Sequence, residues 1–174
     1  MRKVEVSSYQ EQWPIQFREE AEKIKAIFGE EIIAIHHIGS TAVPNLDAKP
    51  IIDLMPVIKQ ISHVDSYDDQ MRELGYDPRG EYGIEGRRYF PKGEDHRTHH
   101  VHMFQAGSRH IERHLASRDY LKEHPAVKEQ YGQLKKTLAQ QYPFDMEAYI
   151  LGKNDFVQST EEAALAWYKR KQNS

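Results

Sequence analysis

Two hydrophobic spacings share this chain, and they divide it. Near the start, Trp13, Phe17, Ala21, Ile24 and Phe28 recur every three or four positions, with Pro14 in the first turn and Gly29 just past the end. That spacing predicts an amphipathic helix. Residues 32–38 are short, β-branched and apolar as far as His36, and residues 51–58 form a second apolar run. Both predict buried strands, the first ending at Gly39-Ser40, with the turn-rich STAVPNLDAKP between them. Val64, Tyr67, Met71 and Leu74 predict a helix closed by Gly75, and the stretch from Tyr76 through Gly80, Gly83 and Gly86 predicts a hairpin. Residues 87–91 and 98–105 are the next expected strands.

Beyond Gly107 the spacing turns helical. A helix is expected around residues 115–121, stopped by Pro125, and another through Val127, Tyr131, Leu134 and Leu138. Asp145 can cap a third through Tyr149 and Lys153, and Ser159 with Glu162 has capping-box spacing before a fourth over residues 163–168. The final YKRKQNS is expected to fray. Mixed strands followed by helices predict one α+β domain, a mixed β-sheet with flanking helices and a helical C-terminal extension. The sheet core should run from about 30 to 106 and the C-terminal helices from about 108 to 170.

Composition narrows the functions available. The 174 residues, 39% of them hydrophobic, suit a single domain with a sizeable core. Twenty-four basic against 27 acidic residues give a net charge of −3, which disfavours non-specific nucleic-acid binding. The absence of cysteine removes disulfides, thiolate nucleophiles and cysteine metal sites. The N-terminus has no apolar signal core, and no stretch approaches the roughly 18 apolar residues of a membrane span, so a cytoplasmic protein is expected. Of ten histidines, six fall between His96 and His114.

Two groups of residues could carry chemistry. Gly39, Ser40 and Thr41 end a buried strand, where free backbone N–H groups can admit a phosphate, although a plain strand-to-loop turn has the same residues. Thirteen positions after Ser40, Asp53 stands inside an apolar strand. A carboxylate there is costly unless it is paired, with Lys49 for example, or bound to a cation. Met55 shares its face, where a second carboxylate would complete a pair. In RTHHVHMF, His100, His102 and Phe104 share one face of a strand and His99, Val101 and Met103 the other. Two imidazoles side by side suit a metal, or a base and its partner; an edge strand with incidental histidines is the plain alternative. Arg97, Arg87 and Arg88 add cations suited to phosphate. His110 and His114 have i, i+4 spacing but no following carboxylate, and are expected to be solvated.

With these residues in view, the chain resembles the GrpB family along nearly its whole length. The resemblance is carried by HHIGSTAVPNLDAKPIIDLMPV, GIEGRRYF, THHVHMF, SRDYLKEHPAVKEQYGQLKKTLA and YILGKNDFV. It implies a nucleotidyltransferase-like fold, in which Gly39, Ser40 and Asp53 fall on the superfamily's Gly-Ser and first acidic positions. The second acidic position falls on Met55, and the third would be taken by His100 or His102. GrpB-like domains also occur joined to dephospho-CoA kinase domains. The expectation is a divalent metal (Mn, Mg or Zn) on Asp53, His100 and His102, these being also the candidate catalytic residues. A small-molecule nucleotide or phosphorylated metabolite would be held by Gly39, Ser40, Thr41, Lys49, Arg88, Arg97, Arg118, Lys135 and Lys153. Arg118, Lys135 and Lys153 would reach it from helices walling the cleft. The alternatives are a non-catalytic binding protein with a degenerate site and a histidine-dependent phosphoesterase.

Overall fold

The computed structural model describes residues 2–173, and their contacts gather into two compact units. One, formed by Glu11–Ile38 and Ile51–Ile111, holds the sheet. Its elements are α1 (Gln12–Phe28), β1 (Ile32–Ile38), β2 (Ile52–Ile58), α2 (Asp68–Glu73), β3 (Arg88–Lys92) and β4 (His99–Gln105). The strand order is β1-β2-β4-β3, with β2 and β4 parallel and both outer pairs antiparallel. The fold is therefore α+β with a mixed sheet.

Alternation gives the sheet two different faces. Leu54, Val101 and Phe90 point one way, and α1 lies on that side, its Phe17 ring stacked on His37 at 4.8 Å. Trp13, Ile24 and Phe28 are buried there. Asp53, Met55, His100, His102 and Tyr89 share the opposite face. The helix expected around Val64–Leu74 is mostly a 3-10 turn, Ile61–Tyr67, and only Asp68–Glu73 is α-helical. In place of a regular hairpin, residues 76–80 run beside β3 through an isolated bridge, Tyr76 to Lys92, and bonds from Arg79 N to Tyr89 O and Tyr89 N to Gly80 O.

The second unit comprises the segment up to Gln10, the Gly39–Pro50 loop and the chain from Glu112 onward. It holds most of α3 (Arg109–Glu123), with α4 (Pro125–Gln141) and α5 (Met146–Gln172). Pro125 opens α4 at its first turn, where the missing N–H costs nothing. Asp145 caps α5 as expected, its Oδ1 accepting from Ala148 N at 3.0 Å. The capping box at Ser159 does not form: α5 runs unbroken through it, because Ser-x-x-Glu spacing also fits a helix interior. Nor does the tail fray where expected, since α5 continues to Gln172; Ser174 lies outside the described residues. Two apolar clusters hold the unit, Val43, Leu46, Leu121 and Tyr131, and Val4, Leu138 and Tyr149. No described helix is long and apolar enough to cross a membrane.

Gly152 on α5 faces Leu138 on α4 so closely that an added Cβ would stand 2.5 Å from Leu138 Cδ2. Gly152→Ala gains about 1 kcal/mol of helix propensity, but from its exposed position it crowds the buried Leu138, an overpacking worth about 1–3 kcal/mol. A lowered melting temperature is expected. An unchanged one would show that Leu138 swings aside freely.

Candidate functional site

The parallel register of β2 and β4 brings Asp53 opposite His100, with His102 two residues further along the same face. His102 Nε2 is 3.0 Å from Asp53 Oδ1 and His100 Nδ1 is 3.7 Å from it. Among the described residues this is the one trio of such side chains whose potential ligand atoms all lie within 4.8 Å of one another. Donors each 2.0–2.2 Å from a tetrahedral ion stand about 3.3–3.6 Å apart, so the spacing needs only a small adjustment to close on one cation. Their side chains are 26%, 16% and 14% exposed, sheltered but reachable. A carboxylate with two imidazoles suits Zn²⁺ or Mn²⁺ better than Mg²⁺, which prefers oxygen.

The far side of each imidazole meets a guanidinium. Arg87 Nη1 is 3.4 Å from His102 Nδ1, and Arg97 Nη1 is 3.2 Å from His100 Nε2. Guanidinium nitrogens only donate, so these contacts make the far ring nitrogens acceptors and direct the imidazole N–H groups toward Asp53. Arg87 is itself fixed from three sides: its Nε donates to Glu81 O, its Nη2 donates to Tyr82 O, and its guanidinium lies 4.7 Å from the Tyr89 ring centroid. The Gly-rich stretch that wraps it needs left-handed backbone at Gly83 and Gly86, with φ of 89° and 82°, and even Tyr82 takes a φ of 47°. Tyr89 also wedges both histidines, its centroid 5.6 Å from His100 and 5.3 Å from His102. Burial pushes the Tyr89 phenol up, and the Asp53 charge adds to this against the opposing pull of Arg97, so the hydroxyl keeps its proton.

Arg88 does not belong to this group. It lies opposite Met103 on the other face and donates to Asp65 Oδ1 at 2.7 Å, because one residue of strand shift reverses a side chain. Arg87 and Tyr89 take its place, and the signal for them was parity: Tyr89 faces as His102 does, and so does the residue two before it. Met55 is fully buried, opposite His36 across β1. His110 stacks on Phe104 at 5.2 Å and is not a free surface imidazole.

The other expected phosphate ligands lie in the helical unit. Gly39, with a φ of 74°, leads into a 3-10 turn, Ser40–Ala42, in which Thr41 is buried. Lys135 Nζ donates to Ser40 Oγ at 2.8 Å. Gly39, Ser40 and Arg118 line one pocket with Tyr131 and Thr160, and Arg118 also pairs with Asp119 at 2.8 Å. Lys49 and Lys153 each place Nζ 5.2 Å from the Tyr149 ring centroid.

A family model described as GrpB protein matches residues 3–163. The chain is similar to the UPF0157 protein YqkA of Bacillus subtilis, 51% identical over 99% of this chain, though it spans only 50% of that protein. It is similar to the glutamate-rich protein GrpB of Alkalihalophilus pseudofirmus, 32% identical over 86% of this chain and 89% of that one. A dephospho-CoA kinase of Mycobacterium leprae matches at 24% identity over 89% of this chain and 45% of its own length. Among solved structures, the conserved protein GrpB from Enterococcus faecalis superposes with a TM-score of 0.91 at 45% identity, covering 94% of this chain and 99% of that one. The Cid1 poly(U) polymerase bound to MgATP superposes at 0.53 and 11% identity, covering 76% of this chain and 44% of its own, which shows a shared nucleotidyltransferase-like fold.

Proposed function

We propose, for a chain that belongs to the GrpB family, that Asp53, His100 and His102 hold a divalent cation and that the protein binds a nucleotide or phosphorylated metabolite with it. The observation that carries this reading is the convergence of one carboxylate and two imidazoles at ligand spacing on one face of the sheet. A bound cation would act there as a Lewis acid toward a phosphoryl oxygen. Arg87 Nη1 and Arg97 Nη1 would then donate to the incoming anion in place of the imidazoles, and Tyr89 would keep both rings in place. The kinship of fold with a polymerase bound to MgATP and the matches to dephospho-CoA kinases support a nucleotide or coenzyme-like ligand.

The histidine-base alternative is weaker in this geometry. A general base needs a ring nitrogen turned to substrate. In His102, Nε2 faces Asp53 and Nδ1 faces Arg87. With a single carboxylate in the cluster, a second hard cation lacks its anchor, so we propose binding with slow or absent transfer.

The test is titration of the chelator-treated protein with Mn²⁺ or Zn²⁺, then with ATP. One cation per chain and cation-dependent ATP binding are expected, and absence of both would leave a different role for the cluster. Met55→Asp probes the same site. Its carboxylate enters a fully buried position, which should cost several kcal/mol in chelator. Mn²⁺ should restore part of that in a thermal melt, and a melt indifferent to Mn²⁺ would show that residue 55 does not face the cation.

A further inference from the structure

Within the helical unit, Lys135 is almost sealed from water at 2% exposure, with no ion pair of its own among the described residues. Its Nζ donates to Ser40 Oγ and sits 4.2 Å from the Tyr131 ring centroid, which compensates a cation only modestly. Lys153 and Lys49 add like charge from α5 and from the Gly39–Pro50 loop. Asp47 is the carboxylate that acts on Lys135, yet it stands 3.0 Å from Lys136, and its pull on Lys135 is the weakest influence there. Burial first, then Lys153 and Lys49, hold the Lys135 ammonium well below the usual lysine range.

A second observation is independent of that one. Tyr149, flanked by Lys49 and Lys153, is fully buried, and its hydroxyl has no hydrogen-bond partner among the described residues. Burial, with Tyr131 adding to it, pushes this phenol up, so it remains an O–H donor with no acceptor. A buried group left unsatisfied costs about 1–3 kcal/mol and calls for an explanation. Among the described residues, a buried ammonium with no ion pair and a buried phenol with no acceptor are both groups that an anion would satisfy.

We propose that Ser40, Lys135, Lys49, Lys153 and Tyr149 form a proton-coupled oxyanion site, in which a phosphoryl group enters beside Ser40 and Lys135 takes up one proton from solvent as it binds. The pocket that Ser40 lines has a volume of about 120 Å³ and is partly open to solvent, with Arg118, His114 and Glu161 among its lining residues, which gives the rest of the ligand a way in. An arriving anion supplies the counter-charge that burial denies Lys135, so the ammonium is more stable in the complex than before it. The sign follows: between the lowered value of the free protein and the higher value of the complex, each unit of rising pH weakens binding about tenfold. The inference takes its ligand class from the function proposed above but needs no cation.

Calorimetry with sodium pyrophosphate in EDTA, in Tris and in HEPES, counts the protons taken up per anion bound. Comparison with Lys135→Arg, which carries a permanent charge, subtracts the pyrophosphate's own titration. The parent should take up about one proton more than the variant, and only the parent should lose affinity steeply with rising pH. Tyr149→Phe should weaken binding and leave the proton count unchanged, which covers the case of a Lys135→Arg chain that does not fold. Equal proton counts in parent and Lys135→Arg, affinity as flat with pH in the parent as in the variant, or no pyrophosphate binding would overturn the proposal. Cation binding lost in Asp53→Ala with proton-coupled pyrophosphate binding intact would separate the two sites. Proton-coupled binding without any cation binding in the parent would overturn the metal reading alone.

Discussion

Asp53→Ala is expected to weaken Zn²⁺ or Mn²⁺ binding by about 100-fold or more. Loss of a partner in the outer shell of a metal site already costs 10–100-fold, and a direct carboxylate ligand carries more, since it alone brings negative charge to the cation. Without it, two imidazoles and two guanidiniums surround the ion, and the arginines repel it. Asp53→Asn should fall between parent and Asp53→Ala, because an amide oxygen keeps the ligand position and loses the charge. Cation titration monitored by calorimetry checks the series, with circular dichroism to confirm the fold. Parent-like affinity in Asp53→Ala would place the cation elsewhere.

Glu20→Ala should destabilise the sheet unit by about 3–5 kcal/mol, the usual result of removing one partner from a buried charge network. Glu20 is 4% exposed and accepts from Tyr76 Oη at 2.7 Å and Lys92 Nζ at 2.9 Å, with His99 Nε2 3.9 Å away. Its loss leaves the Lys92 ammonium, only 23% exposed, and a buried phenol without an acceptor. Burial pushes the Glu20 carboxyl up, but the hydrogen bonds from Lys92 and Tyr76, with the charges of His99 and Lys92, outweigh it and leave the group below its usual value. Its stabilisation is thus present above the unfolded carboxylate value and lost as pH falls through the lower folded one. His99 is lowered chiefly by burial, against the pull of Glu20, so it too favours the folded state above the unfolded imidazole value and loses that contribution as pH falls below it. Parent protein should weaken first near the imidazole range and again in the carboxylate range, and Glu20→Ala should lose the second step. Urea denaturation at several pH values measures both; a Glu20→Ala midpoint equal to the parent's would overturn the account.

Local spacing carried much of this molecule. The apolar runs that became β1 and β2, the three-and-four spacing of α1 and the shared face of His100 and His102 are periodicities of the backbone itself, and they hold whatever the strands pair with. Asp53 could be singled out because an ionised group inside an apolar strand demands a partner. Its meeting with His100 and His102 was expected from the family resemblance, and spacing alone could not supply it. It depends on β2 lying parallel to β4 while β3, which precedes β4 in the chain, is moved to the sheet edge. The choice between Arg87 and Arg88 turned on one residue of strand parity, which nearby glycines obscure. Ser159 carried a valid cap signal and was overridden because α5 passes through it unbroken. Lys135 is the sharpest case. On a helical wheel it is one more charge on α4, and only tertiary packing, by removing its water and setting Lys153 and Lys49 beside it, holds that ammonium well below the usual lysine range.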